Sequence, residues 1–303
     1  MMLVLLGPFA TTGWAQENLH TIAINSPKQL KDFFKYTGRD IPLISGHRGC
    51  HIPGYPENSI EAFEYVLKHT AAFFEIDPRL TKDSVVVLLH DATLDRTTNG
   101  TGKLADYTWA EVKKLRLKDK DGKITPYRIP TLEEAIRWAR GKTILNLDKK
   151  DVPPAMTERI IQKNNAGAFV MVTVHNAEQA LFYYNSDKDR MMSAFVKTPQ
   201  VLEAYEAAGI PWHNMIAYIG SENKKENDQM FRLLHQRNVM CMISAAPVYD
   251  KLEAASDRGE AYRQTFQMGA DILESDLPVE CAEAIRPLLP ASSSKRRFFK
   301  TGK

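Results

Sequence analysis

The sequence predicts an α/β fold, an irregular (β/α)8 barrel of the TIM type forming one domain over residues 40–290, on three observations. Short apolar, β-branched runs alternate with longer stretches at helical spacing throughout that span. Such alternation builds a parallel sheet, and a span of this length suits a closed barrel better than an open doubly wound sheet. No glycine-rich fingerprint of the kind that opens a nucleotide-binding helix follows any of the runs, which counts further against the open sheet.

Nine runs read as strands: 43–47, 73–77, 85–90, 143–148, 169–174, 191–196, 215–219, 239–244 and 271–275. Nine candidates compete for eight places, so at least one is not a strand or lies outside the barrel. Amphipathic stretches at 59–68, 132–140, 177–184 and 199–208 read as helices, the second following a cap-like Pro130-Thr131. Only seven residues separate Asp77 from Val85, too few for a crossover helix, so the second unit is the irregular one. The polar, turn-rich segment 99–127, with TNGTG and LKDKDGK, reads as a small excursion on the rim.

The 303 residues are 44% hydrophobic and 25% charged, which excludes a disordered, collagen-like or coiled-coil chain. No apolar run reaches the roughly 20 residues of a membrane span, so no stable membrane insertion is expected. The net charge of +3 comes from the last residues, 291–303, where Lys295, Arg296, Arg297, Lys300 and Lys303 stand without an acid. That segment reads as a solvated basic tail on a near-neutral body, with no footprint for nucleic acid. Residues 1–15 are apolar and uncharged, with Gly13 and Ala15 placed for cleavage after Ala15. They read as a signal peptide of a periplasmic or secreted protein; the alternative is a hydrophobic N-terminal strand or helix of a cytoplasmic one. Cys50, Cys241 and Cys281 supply at most one disulfide and no zinc-site spacing. Nothing in the sequence sets an oligomeric state.

Chemistry-bearing residues gather where the runs end. The first leads into Gly46-His47-Arg48-Gly49, the second carries Glu75-Ile76-Asp77, the third ends His90-Asp91 and the fourth ends Asp148-Lys149-Lys150. A barrel brings the C-terminal ends of its strands around one mouth, where active sites of this architecture lie. Glu75 and Asp77 share a strand face, and two adjacent carboxylates repel unless a cation or proton lies between them. With Asp148 they form an all-oxygen set suited to Mg or Ca and not to Zn. His175, at the end of another run, either faces the mouth or caps a helix.

Read in order, His47-Arg48-Gly49, Pro56-Glu57-Asn58-Ser59, Glu75-Ile76-Asp77 and His90-Asp91 with Leu94, Arg96 and Thr97 resemble the glycerophosphodiester phosphodiesterase family. The resemblance continues through Asn99-Gly100-Thr101-Gly102, Ile129-Pro130-Thr131-Leu132-Glu133-Glu134, Asp148-Lys149-Lys150 and the stretch from Gly269 to Pro278. It implies a TIM-type barrel, one divalent cation, Ca or Mg, and hydrolysis of a small-molecule glycerophosphodiester to glycerol 3-phosphate and an alcohol. By the same resemblance His47 and His90 are the catalytic pair, and Glu75, Asp77 and Asp148 are metal ligands. Asp148 stands where the family usually has the longer Glu. Arg48, Lys150, Glu57 and Asn58 match positions at or near the phosphate. The residues Met242-Ile243-Ser244-Ala245-Ala246-Pro247 replace a tryptophan-threonine pair common in the family, in a wall that meets the substrate. Substrate choice therefore stays open to a lysophospholipid or another phosphodiester, and a catalytically silent barrel that binds phosphorylated ligands is the third reading.

Overall fold

The computed structural model describes residues 19–301, so the signal-peptide expectation for residues 1–15 lies outside the described residues. Eight parallel strands close into a barrel in chain order: Leu43–His47, Phe73–Ile76, Leu145–Leu147, Val170–Val174, Met192–Phe195, Met215–Gly220, Cys241–Ser244 and Ile272–Ser275. Each is followed by an outer helix, beginning with Ile60–His69 after the first strand and ending with Pro278–Ile285 after the last. Side-chain caps start several of them: Ser59 accepts from Ala62 N, and Thr131 with Glu134 forms a capping box. No helix among the described residues is long and apolar enough to cross a membrane.

The ninth candidate, 85–90, is the one outside the barrel. Val86–Leu88 pairs antiparallel with Pro78–Leu80, and the third barrel strand is Leu145–Leu147. The irregular second unit is thus a complete crossover enlarged by a hairpin and the rim excursion. Val87, Leu89, Leu94, Leu104, Val112, Leu117 and Ile129 give this insertion an apolar core of its own, so it extends well beyond residues 99–127.

Alternation along the strands sorts inward side chains into layers. Leu43, Phe73, Ile144, Met171, Ile216 and Ile272 fill the N-terminal end of the barrel. Above them lies a buried polar layer that includes Ser45, Glu75, Asn146, Thr173, Ser193, Ser244 and Glu274. His47, Asp77, Asp148 and Asp276 come next along their strands, at the C-terminal mouth. Cys50, Cys241 and Cys281 are buried free thiols.

Two expectations about the ends are corrected. The domain begins before residue 40: helix Pro27–Phe34 sends Leu30, Phe33 and Phe34 into the bottom layer, which it closes. Over its described residues, 291–301, the C-terminal segment is not a solvated tail. Its residues Ser294–Phe298 form a 3-10 turn, Phe299–Lys300 pairs with Thr21–Ile22, and Phe298 joins the bottom layer. Lys295 is 1% exposed; its ammonium donates to Phe33 O at 2.5 Å and Lys35 O at 2.6 Å and pairs with Asp40 Oδ1 at 3.2 Å. A helix ends in carbonyls without intrahelical partners, and this cation satisfies them. Removing it leaves Asp40 as an uncompensated carboxylate, so Lys295→Ala is expected to cost about 3 kcal/mol. The check is a fall in the urea midpoint at unchanged m-value; an unmoved midpoint would mean that the segment merely rests on the surface.

Candidate active site

The turn after the first strand is built tightly. A Cβ on Gly46 would lie 2.4 Å from Gly49 O and 2.8 Å from the Phe74 ring, so only glycine lets the chain fold back there. Arg48 follows with φ of 54°, in the left-handed region, and its amide donates to Glu75 Oε2 at 3.2 Å. Asn58 also takes a left-handed backbone, which asparagine tolerates better than most residues. Its side chain clasps Asp77, donating to Oδ2 at 2.7 Å and accepting from the backbone amide at 3.1 Å.

Both histidines have a carboxylate at Nδ1. His47 meets Asp276 Oδ1 at 2.7 Å, and His90 meets Asp91 Oδ1 at 2.8 Å. Burial alone would lower the His47 pKa, but the bond to Asp276 and the charges of Glu274 and Asp276 leave it raised. His90 arrives on the inserted hairpin, not on a barrel strand, and Arg79 Nε holds its carbonyl at 2.7 Å. Asp91 is gripped in turn by Arg96 Nε at 2.7 Å.

Glu75, Asp77 and Asp148 each offer an oxygen within 4.8 Å of the others. Burial, then the charges of Asp77, Glu274 and Asp148, pushes the Glu75 carboxyl well above its usual range. Asp77 is also buried, yet Lys150 and Arg48 hold it below its ordinary value. Lys150 Nζ lies 3.0 Å from Asp77 Oδ1 and 2.5 Å from Asp148 Oδ2. The bond to Asp148 is directed, while Asp77 Oδ1 is buried without a directed hydrogen bond. An all-oxygen cluster under mutual repulsion, with one orphaned lone pair, fits a hard divalent cation.

Glu57 and Asn58, expected at or near the phosphate, are both engaged by other side chains of the protein. Glu57 accepts from Arg96 Nη1 at 2.8 Å and Nη2 at 2.9 Å and from Arg48 Nη1 at 3.2 Å. Burial would raise its pKa, but the two guanidinium groups hold it down, and a carboxylate repels an anionic substrate. These residues position Arg48 and Asp77. His175 faces the mouth, with Nε2 4.0 Å from Asp148 Oδ1 and its ring edge-on to Phe195. Three groups received no role from the sequence: Asp276, Arg96 and Glu274. The first two lie in quoted motifs, and Asp276 sits just past a strand end, where the rule that found His47 also applies. Glu274, buried and 3.4 Å from Ser45 Oγ, gave no such signal, because only the register shows which way it faces.

The family model described as "Glycerophosphoryl diester phosphodiesterase family" matches residues 47–243, well over half the chain. The chain belongs to this family. A crystal structure of a glycerophosphoryl diester phosphodiesterase from Parabacteroides distasonis is 55% identical, with TM-score 0.92 over 93% of this chain and 99% of that one. A glycerophosphodiester phosphodiesterase of Caldanaerobacter subterraneus is 40% identical over 125 residues, 40% of this chain. That match spans 51% of the relative, so the chain spans about half the length of this curated protein. An Oleispira antarctica phosphodiesterase, whose structure holds the product sn-glycerol-3-phosphate, shares the fold at 20% identity and TM-score 0.62, over 81% of this chain and 97% of its own. The barrel expected for a glycerophosphoryl diester phosphodiesterase is the barrel present.

Proposed function

We propose that the protein hydrolyses glycerophosphodiesters to glycerol 3-phosphate and an alcohol, with His47 and His90 as general base and general acid and a divalent cation, Ca or Mg, at Glu75, Asp77 and Asp148. The observation that carries this reading is the pair of Nδ1–carboxylate bonds. Each carboxylate fixes the tautomer of its imidazole and leaves Nε2 for a reacting oxygen. Two imidazoles so oriented, at the mouth that also carries the acidic cluster, supply the proton acceptor and the proton donor that displacement at phosphorus calls for.

When bound, the cation polarises a non-bridging phosphate oxygen and neutralises its charge. The chain supplies the rest. Arg48 and Lys150 bring positive charge to the phosphoryl oxygens, and Glu57 and Asn58 hold Arg48 and Asp77 in place. His47 Nε2 takes the proton of the nucleophile as the new P–O bond forms; water gives glycerol 3-phosphate directly, whereas the substrate's own 2-hydroxyl gives a cyclic phosphate that water then opens. His90 Nε2 gives its proton to the departing alkoxide as the old P–O bond breaks. The cavity beside His47 is edged by Arg48, His51, Glu57, Arg96, Lys251 and Asp276. Its apolar part is confined to the small residues Ala246 and Pro247, which suits a water-soluble diester over a lysophospholipid, whose acyl chain needs a longer apolar groove.

The test is release of glycerol 3-phosphate from a panel of glycerophosphodiesters with Ca or Mg present. Release is expected with water-soluble diesters and is weak or absent with lysophospholipids. A barrel that binds glycerol 3-phosphate yet cleaves nothing would turn the reading to a silent phospho-ligand carrier.

A further inference from the structure

The cavity beside His47 has a volume of about 290 Å³, and its charges do not balance. Arg96 is spent on Glu57 and Asp91, Arg48 on Glu57 and Asp77, and Asp276 on His47. Lys251 also lines the cavity, and among the described residues it has no ion-pair partner. Lys197, another lysine without an ion-pair partner among the described residues, differs in that its ammonium lies 5.1 Å and 4.9 Å from the ring centroids of Phe195 and Tyr218.

Lys251 is also not on a loose loop. It ends the 3-10 turn Tyr249–Lys251, and both residues before it are anchored. Tyr249 OH accepts from Asn223 N at 2.6 Å. Asp250 accepts from Asp276 N at 2.6 Å, from Tyr262 OH at 2.6 Å and from Ser275 Oγ at 3.0 Å. The turn is therefore tied to the backbone of the residue that orients His47, and it presents the exposed Lys251 at the rim of the cavity.

We propose that this cavity receives the alcohol part of the substrate and that Lys251 makes it a subsite for an alcohol bearing its own anionic group, a carboxylate or a second phosphate. The inference rests on the phosphodiesterase reading above and deepens it. The glycerol end of a glycerophosphodiester is uncharged, so a cation at the rim discriminates only among alcohols. An anion in the cavity supplies the counter-charge that the protein withholds, and a quaternary ammonium there meets repulsion.

The experiment compares kcat/KM for glycerophosphoserine, for the diester of glycerol with glycerol phosphate, and for glycerophosphocholine, in wild type, Lys251→Ala and Lys251→Glu. Wild type is expected to favour the two anionic alcohols. Lys251→Ala is expected to lower kcat/KM for both by about fivefold, the size of an exposed ion pair, and to raise it for glycerophosphocholine by relieving the repulsion. Lys251→Glu should reverse the preference. Loss with only one anionic substrate would assign the subsite to that anion. Equal change on all three diesters, or none on any, overturns the proposal while leaving the phosphodiesterase reading intact. Cleavage of no diester by wild type removes that reading, and the subsite with it.

Discussion

Alanine at His47 is expected to lower the turnover of every glycerophosphodiester by about 10²- to 10⁴-fold, the usual contribution of a general acid or base. The loss should fall on kcat with KM little changed, because Arg48, Lys150 and the carboxylates Glu75, Asp77 and Asp148 keep their places. His90→Ala should lose as much on natural substrates, whose leaving alkoxides need a proton. The two variants separate on a p-nitrophenyl diester, whose leaving group departs unassisted. His90→Ala is expected to regain most of its activity there, and His47→Ala to regain little. The opposite pattern would exchange their roles. Full activity in both would remove the acid–base assignment.

Chelation is expected to abolish turnover, and the cation's fit is checked without turnover through stability. A ligand that binds only the folded chain stabilises it by about 2.7 kcal/mol at one hundred times its dissociation constant. Ca or Mg should therefore raise the thermal midpoint of the wild-type protein. The rise should vanish in Asp77→Asn, since Asp77 is fully buried and its Oδ1 lacks a directed hydrogen bond. Glu75 bears on the same point: burial and three neighbouring carboxylates make its charged form costly, and a cation relieves that repulsion. A midpoint indifferent to either metal would show that Lys150 alone neutralises the cluster.

The barrel and most of its reactive groups could be read from the chain because they are properties of short stretches. Leu43–His47 and Phe73–Ile76 are apolar runs with a polar residue at the exit, and the fold class then dictates that the exits meet. His47, Glu75, Asp77 and Asp148 needed no more than that. The run at 85–90 shows where such reading stops. VVVLLH is apolar without alternation, and a continuous apolar run fits a barrel strand and a covered hairpin equally. Its partner is Pro78–Leu80, chosen because the five residues 81–85 between the two strands allow a hairpin and forbid a crossover.

Composition misled at the C-terminus for a related reason. A run of cations looks solvated until one of them meets carbonyls that need a donor, and those belong to residues some 260 positions away. The partner of His47 is equally remote, at Asp276, 229 positions along the chain. For Glu57 and Asn58 the motif gave a neighbourhood only, and it took the packing to show that their side chains meet Arg48 and Asp77. Local pattern reports which face of a segment is buried and where it ends, because those depend on neighbours a few residues apart. Which distant groups touch is set by closing the barrel, where the burial of every strand is satisfied at once. That closure decided the partner of each histidine, the seat of Lys295 and the unbalanced charge beside His47.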